Sequence, residues 1–300
     1  MIAAGETPNE LMGVEPQATT VGDWLKMYRA GSRVSAHDAD VIGRLPDVVT
    51  GFPGHKLTVA WALSWVSSMH SSGIAPGTIR KKVGALARCL DWCKMAGLVA
   101  ANPVRELPRN YAAYPDGHVN RREDDERDRR LLQGEEDRIR QVLVHRYDWL
   151  LLFDMGIETA MRMREMFTMD WGQVSLEKRT VFLEKTKNGD RRQVPMSSTI
   201  HAVLAQITNQ EGRLFPWWDG DVVTMAKTTA RLSHQWARIA RDAGCVDLRF
   251  HDLRHEATCR LYERTTLSDI QIARITGHKS LLMLKRYANL RGSDLALSLW

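Results

Sequence analysis

Six side chains in the second half of this chain have types and spacings that invite chemistry. Arg162 stands in "TAMRMREM" three positions before Glu165, so a carboxylate can hold its guanidinium in one orientation. Lys187 stands in "TKNG", at the mouth of an expected hairpin. His251 and Arg254 share "HDLRHEAT" at helical spacing, with His255 beside them. His278 follows Gly277 in "ITGHKSLLMLKRYANL", and Tyr287 comes nine positions later. Each has an ordinary reading alone: a surface ion pair, a solvated lysine, a turn before an amphipathic segment. Two histidines four apart hint at zinc. The Leu, Arg and Glu around them do not match the zinc-protease order, and no third ligand presents itself.

Taken together they combine two arginines, two histidines, a lysine and a tyrosine without a carboxylate cluster. A phosphodiester passing through a five-coordinate transition state gathers negative charge on its non-bridging oxygens. Metal nucleases meet that charge with Mg²⁺ held by several acids. Planar arginine forks and histidine donors can take the metal's place. The phenol is then the nucleophile, and a covalent intermediate preserves the bond energy for rejoining. A free tyrosine has a pKa of about 10, so attack needs a base or a strongly cationic setting. The lysine protonates the departing 5′ oxygen, otherwise a poor leaving group. The inventory fits metal-free DNA strand exchange, with no cofactor and no metal ligands.

These groups need elements to position them. "LLQGEEDRIRQVLVHRYDWLLLFDMGIETAMRMREMFTMDW", from Leu131, gives two or three helices. "TVFLEKTKNGDRRQVPM" has β-prone runs on either side of Asn188-Gly189, the strongest short-range hairpin cue. The remainder from Ser197 is mostly helical. Upstream, "PGTIRKKVGALARCLDWCKMAGL" places Ile79, Val83, Leu86, Leu90 and Cys93 on one stripe, with Pro76 and Gly97 bracketing a helix. Residues 1–17 read as a mobile tail, 18–108 as a small helical DNA-binding domain, 109–130 as an interdomain linker and 131–300 as the chemical domain. The acidic cluster Glu123 to Glu126 belongs to that linker and reads as solvated rather than metal-binding. The fold class is therefore mainly α with a small β-hairpin or sheet.

Composition sets the partners. The 300 residues carry a net charge of +6, and the isoelectric point is about 9.2. Between Pro76 and Arg109 there are seven Lys or Arg against two acids, which favours a phosphate backbone over diffuse charge. Arg80, Lys81, Lys82, Arg88 and Lys94 are the candidate DNA-binding residues; solvation of an outer face is the equal alternative for that helix alone. No apolar run reaches the roughly 18 residues of a membrane span, and "MIAAGETPNELMG" lacks a secretion leader. Four cysteines form no disulfide framework. A cytoplasmic, nucleoid-associated protein without a membrane partner is expected.

The ordered set Arg162, Lys187, His251-x-x-Arg254, Gly277-His278 and Tyr287 resembles the tyrosine recombinase (phage integrase) family. "TAMRMREM" is similar to its first arginine box, "TKNGDRRQVP" to its lysine hairpin, and "HDLRH" with "GHKSLLMLKRY" to its second box. The likeness spans residues 131–300, and residues 18–108 stand where that family keeps its core-binding domain. The resemblance implies a C-shaped clamp on double-stranded DNA with specific core sites. Arg162, Arg254 and His278 would stabilise the phosphate, His251 assist proton transfer at the nucleophile, Lys187 act as general acid, and Glu165 support them. Tyr287 would form a 3′-phosphotyrosine, and strands would exchange through a Holliday junction. A protein monomeric or weakly dimeric when free would form a homo-tetramer on DNA, with accessory DNA-bending proteins in some systems and a bacterial or phage origin. Type IB topoisomerase chemistry, or a regulator without catalysis, are the alternatives.

Three departures matter. Ala160 stands where the family commonly has glycine, and Leu282, Met283 and Leu284 replace common threonines; effects on packing are expected. There is little room before residue 18 for an arm-binding domain. The apolar tail "LRGSDLALSLW" is expected to dock in a groove, on a neighbouring protomer or on its own chain.

Overall fold

In the computed structural model residues 20–32, 34–124, 127–184 and 191–288 are described. They fall into two units, Met1–Glu126 and Arg127–Trp300. The first is helical: α1 (Val21–Gly31), α2 (Ala36–Gly43), α3 (Asp47–Thr50), α4 (Val59–Ser71) and α5 (Pro76–Met95). A capping box opens α1, where Thr20 Oγ1 accepts from the Asp23 amide and Asp23 accepts from the Thr20 amide. Ile79, Val83, Leu86, Leu90 and Cys93 are all buried along α5, as their spacing requires. Pro76 occupies its first turn, where a missing N–H costs nothing. Gly97 closes it at φ +72°, letting the Leu98 amide reach the Cys93 carbonyl at 2.9 Å. The core of this unit joins α5 to Trp24, Leu25, Trp65 and Met69.

The second unit contains α6 (Glu135–Leu143), α7 (Tyr147–Thr159), α8 (Met163–Phe167), α9 (Ser198–Ala205), α10 (Met225–Asp242), α11 (Phe250–Arg264), α12 (Asp269–Thr276) and α13 (Lys285–Ala288). Between α8 and α9 a three-stranded antiparallel sheet runs in the order β1 (Val174–Ser175), β2 (Thr180–Leu183), β3 (Arg192–Pro195). The expected hairpin strands are β2 and β3, in the register Val181↔Val194 and Leu183↔Arg192; its Asn188-Gly189 turn lies outside the described residues. The mainly helical fold with a small sheet agrees with the sequence reading.

Aromatic packing joins α7, α10 and α11 in this unit. Phe153, Trp236 and Phe250 pack as a stacked and an edge-on pair, with centroids 6.0 and 5.1 Å apart. Beside them Gly156 of α7 faces α11, where a Cβ would meet Leu253 at 3.2 Å. The glycine therefore lets α7 lie close against α11, the helix that carries His251, Arg254 and His255.

The expected linker, 109–130, is packed in both parts that are described. Ala112 and Tyr114 are buried in the first unit, and Tyr114 Oη donates to the Ile74 carbonyl at 2.9 Å. Asp124, read as solvated, accepts from the Gly77 amide at 2.8 Å and pairs with Arg80. Arg127 binds Asp252 through Nε (2.7 Å) and Nη2 (2.6 Å), and Arg130 Nε reaches Glu256 at 3.0 Å. Residues 127–130 thus belong to the second unit. The charge run looks solvated because the partners of Asp124, Arg127 and Arg130 stand 44 to 133 positions away.

Candidate active site

Helix α8 opens at Met163, so Arg162 stands at its N-cap and Glu165 in its first turn. Glu165 Oε2 accepts from the Arg162 backbone N–H and Oε1 from Arg162 Nη1, both at 2.8 Å. The same carboxylate accepts a fork from Arg192 of β3, Nη1 at 3.0 Å and Nη2 at 2.7 Å. Burial works to raise the Glu165 pKa, but Arg192 and Arg162 prevail and hold the carboxyl below its ordinary range. Arg192 Nε donates to the Ile275 carbonyl at 3.0 Å, tying this group to α12. Arg192 was not anticipated. The available signal was strand alternation, which sets it on the same face as buried Val194.

Arg254 is 5% exposed. Its Nη1 donates to the Ala160 carbonyl and its Nη2 to the Thr276 carbonyl at 2.6 Å. Burial, together with the nearby Arg162 charge, pushes its pKa down to about 9. It is still a cation at neutral pH, ready to meet an anion. Ala160 caps α7 in the left-handed region, φ 53° and ψ 20°. A side chain there costs about 1–2 kcal/mol, which glycine avoids. The effect of this departure is thus backbone strain rather than packing, and the strained carbonyl is the one Arg254 uses. Of the three later substitutions only Leu284 is buried; Leu282 and Met283 are exposed.

Gly277 ends α12 at φ +74°, and a Cβ on it would meet the Arg192 guanidinium at 3.0 Å. The turn delivers His278, whose Nε2 lies 3.4 Å from Arg254 Nη2 and whose Nδ1 lies 2.7 Å from Thr276 Oγ1. Thr276 Oγ1 donates to the Ile272 carbonyl at 2.8 Å. Its hydroxyl can then only accept from Nδ1–H, which leaves Nε2 as the atom directed at Arg254.

A short 3₁₀ turn, Leu281–Leu284, leads into α13 and Tyr287. Tyr287 is buried, stacked on Tyr262 with centroids 6.0 Å apart. Its Oη lies 2.5 Å from Nδ1 of His255. Sequence reasoning assigned the nucleophile's proton to His251. That residue is exposed one turn earlier on α11, its ring edge-on to His255 at 5.6 Å. His255 was noticed only as half of a zinc-like pair. A period of 3.6 places both histidines near one face but does not say which meets Tyr287.

Arg162, His251 and Arg254 line one cavity of about 520 Å³, together with Arg164 and Arg249. A second of about 870 Å³ is lined by Arg191, Arg192, Arg274, His278 and Lys279. Lys187 lies outside the described residues. Among the described residues no group of three or more His, Cys, Asp or Glu could hold a metal ion, and no helix is long and apolar enough to cross a membrane.

The profile of the phage integrase family matches residues 130–293. The chain belongs to the phage integrase family. Its span takes in Arg162, Lys187, His251, Arg254, His278 and Tyr287. Over 175 residues the chain is 35% identical to a shufflon-specific DNA recombinase of Escherichia coli, covering 58% of this chain and 43% of that protein. Against the first three curated relatives the matched stretch spans 40–56% of their length. The fold is similar to that of the Tn1549 transposon integrase (Y379F) in complex with transposon right end DNA. The TM-score is 0.67 at 14% identity, covering 92% of this chain and 99% of the other. It is similar also to a lambda integrase tetramer bound to a Holliday junction, with TM-score 0.62 at 18% identity, covering 96% and 82%.

The basic residues of α5 fall outside the family span and differ among themselves. Arg88 is engaged by Asp38, Nε to Oδ2 at 2.8 Å and Nη2 to Oδ1 at 2.5 Å. Arg80 pairs with Asp124. Lys81 and Lys94 are exposed and Lys82 is half-buried. The anchoring pairs were not legible, because Asp38 and Asp124 lie 50 and 44 positions away.

Proposed function

We propose that this chain is a site-specific DNA recombinase that cleaves and rejoins double-stranded DNA through Tyr287. The observation that carries the reading is the meeting of Arg254 with His278 at 3.4 Å in a unit where Tyr287 Oη is itself held on α11 at 2.5 Å. Arg162, Arg254 and His278 bind the scissile phosphate and its developing charge. Glu165 fixes Arg162, and Lys187 protonates the 5′ oxygen. Tyr287 becomes joined to the 3′ phosphate, and the free 5′ hydroxyl of a partner strand reverses the step through a Holliday junction. Lys81, Lys82 and Lys94, with Arg80 and Arg88 as paired neighbours, hold phosphates of the core site. The working assembly is a homo-tetramer on DNA, aided in some settings by DNA-bending proteins, in the cytoplasm on the nucleoid. The domain division 18–108 and 131–300 serves two grips on the duplex.

The test uses the full chain and a pool of nicked duplexes of random sequence, with recovery of detergent-resistant adducts. The wild type should give adducts sharing one sequence, in EDTA as well, and Tyr287→Phe should give none. Efficient relaxation of plasmid lacking that sequence would point instead to topoisomerase chemistry. Specific binding with no adduct would point to a regulator.

A further inference from the structure

Arg162 and His278 stand on two separate segments of the second unit. One runs from the α7 cap at Ala160 to Glu165, the other from Ile275 at the end of α12 through the turn at Gly277. Two arginines strap these segments together. Arg254 does so through the backbone, donating to the carbonyls of Ala160 and Thr276. Arg192 makes the second strap, from β3. Its Nη1 and Nη2 fork onto Glu165, the carboxylate that holds Arg162, and its Nε donates to the Ile275 carbonyl at 3.0 Å. Its side chain is 8% exposed. Gly277 leaves room for it, since a Cβ there would meet Arg192 Cζ and Nη1 at 3.0 Å. Arg254 lines the cavity that Arg162 faces, whereas Arg192 lines the one that holds His278. A lysine at this position would supply the charge without the planar fork.

We propose that Arg192 is a positioning residue for the cleavage step: it holds Arg162 and the His278 turn at one fixed spacing, so that both meet the same phosphate. The proposal rests on the recombinase reading above. In this role Arg192 touches none of the reacting atoms. It acts through Glu165 on one side and through the Ile275 carbonyl on the other. Charge developing on the non-bridging oxygens is best met by donors already in place when it forms. A misplacement of about 1 Å is enough to slow such a step about 100-fold. Affinity for uncleaved duplex is a sum over many phosphate contacts and depends little on that one spacing. Arg192 should therefore matter for the rate of cleavage and hardly at all for binding.

Two measurements on the full chain test this, the first without DNA. In ¹⁵N spectra of arginine and histidine side chains, Arg192→Lys should move both the Arg162 guanidinium signal and the His278 ring signals. A change at Arg162 alone would reduce Arg192 to a partner of Glu165, and no change at either would remove the tie; both results overturn the proposal. The second is single-turnover adduct formation at saturating nicked duplex bearing the sequence recovered above. Its scissile linkage is either an ordinary phosphodiester or a neutral methylphosphonate. On the phosphodiester, Arg192→Lys and Arg192→Gln should each slow cleavage about 100-fold, while Kd for the duplex stays within about threefold. The neutral linkage gathers less charge, so there the deficit should shrink to about tenfold or less. General damage to the unit would slow both linkages alike. That result, or the full wild-type rate in Arg192→Lys, overturns the proposal. A wild type that forms no adduct defeats the recombinase reading instead; if the two signals still move together, Arg192 is left as a structural tie and its part in cleavage falls with that reading.

Discussion

The two units of this protein handle charge in opposite ways. In the first, Asp38 is the one buried carboxylate among the described residues, and its partner Arg88 remains 44% exposed. In the second, Glu135, Asp154, Glu165, Asp252, Arg254 and Glu256 are all buried. Several of their partners come from far along the chain: Arg127 for Asp252, Arg130 for Glu256, Arg192 for Glu165. Buried ion pairs add little net stability over an apolar core, but losing one partner strands a charge. The first unit is held by apolar area and could exchange its surface charges freely. The second accepts the cost of desolvation where a buried carboxylate, Glu165, holds Arg162 and Arg192 in place, and Arg192 is in turn tied to α12.

That contrast can be broken by experiment. Glu165→Gln leaves two arginines facing a neutral amide and should cost about 3–5 kcal/mol in chemical denaturation; a loss below about 1 kcal/mol would mean that the second unit does not depend on its buried charge. Acid should separate the units next. The folded pKa values of Glu165 and Glu256 lie below the ordinary 4.5, since their arginines outweigh burial. Their stabilisation is therefore complete above that ordinary value and is lost as pH falls through the lowered folded values. Hydrogen exchange over this range should show amides of α7 and α11 losing protection before those of α5, and the reverse order would contradict the comparison. The smallest effects belong to the first unit. Arg88→Ala, at a half-exposed pair, should cost about 1 kcal/mol, whereas Lys81→Ala should leave stability within about 0.5 kcal/mol. On DNA, Lys81→Ala should weaken binding and lower the salt slope by about 1 if it meets a phosphate.

The candidate site was partly legible in sequence. Of the residues singled out by type and order, the structure brings Arg254 to His278 and sets Arg162 and His251 with Arg254 on one cavity, and Glu165 pairs with Arg162 as its three-residue offset suggested. The Arg192 fork on Glu165 and the contact of His255 with Tyr287 were missed. Arg192 sits inside a hairpin whose lysine drew attention, and nothing local says that its guanidinium crosses to a carboxylate 27 positions back. The apolar stripe of α5 was readable because burial follows a period of 3.6, while the ion pairs at both ends of residues 109–130 were not, because charge carries no period. The expected tail contact of residues 293–300 and the role of Lys187 fall outside the described residues.

The sequence by itself determined the mainly helical character, the β2–β3 pairing and the set of candidate side chains, since periodicity and residue chemistry are local properties. Only the tertiary structure decided which distant groups touch: that Arg192 joins Arg162 on Glu165, that Ala160 offers Arg254 a carbonyl from a left-handed turn, and that His255 meets Tyr287. Such contacts depend on how closely α7 approaches α11 and where the chain turns at Gly277. They join residues 22 to 94 positions apart, a separation at which no local pattern carries information.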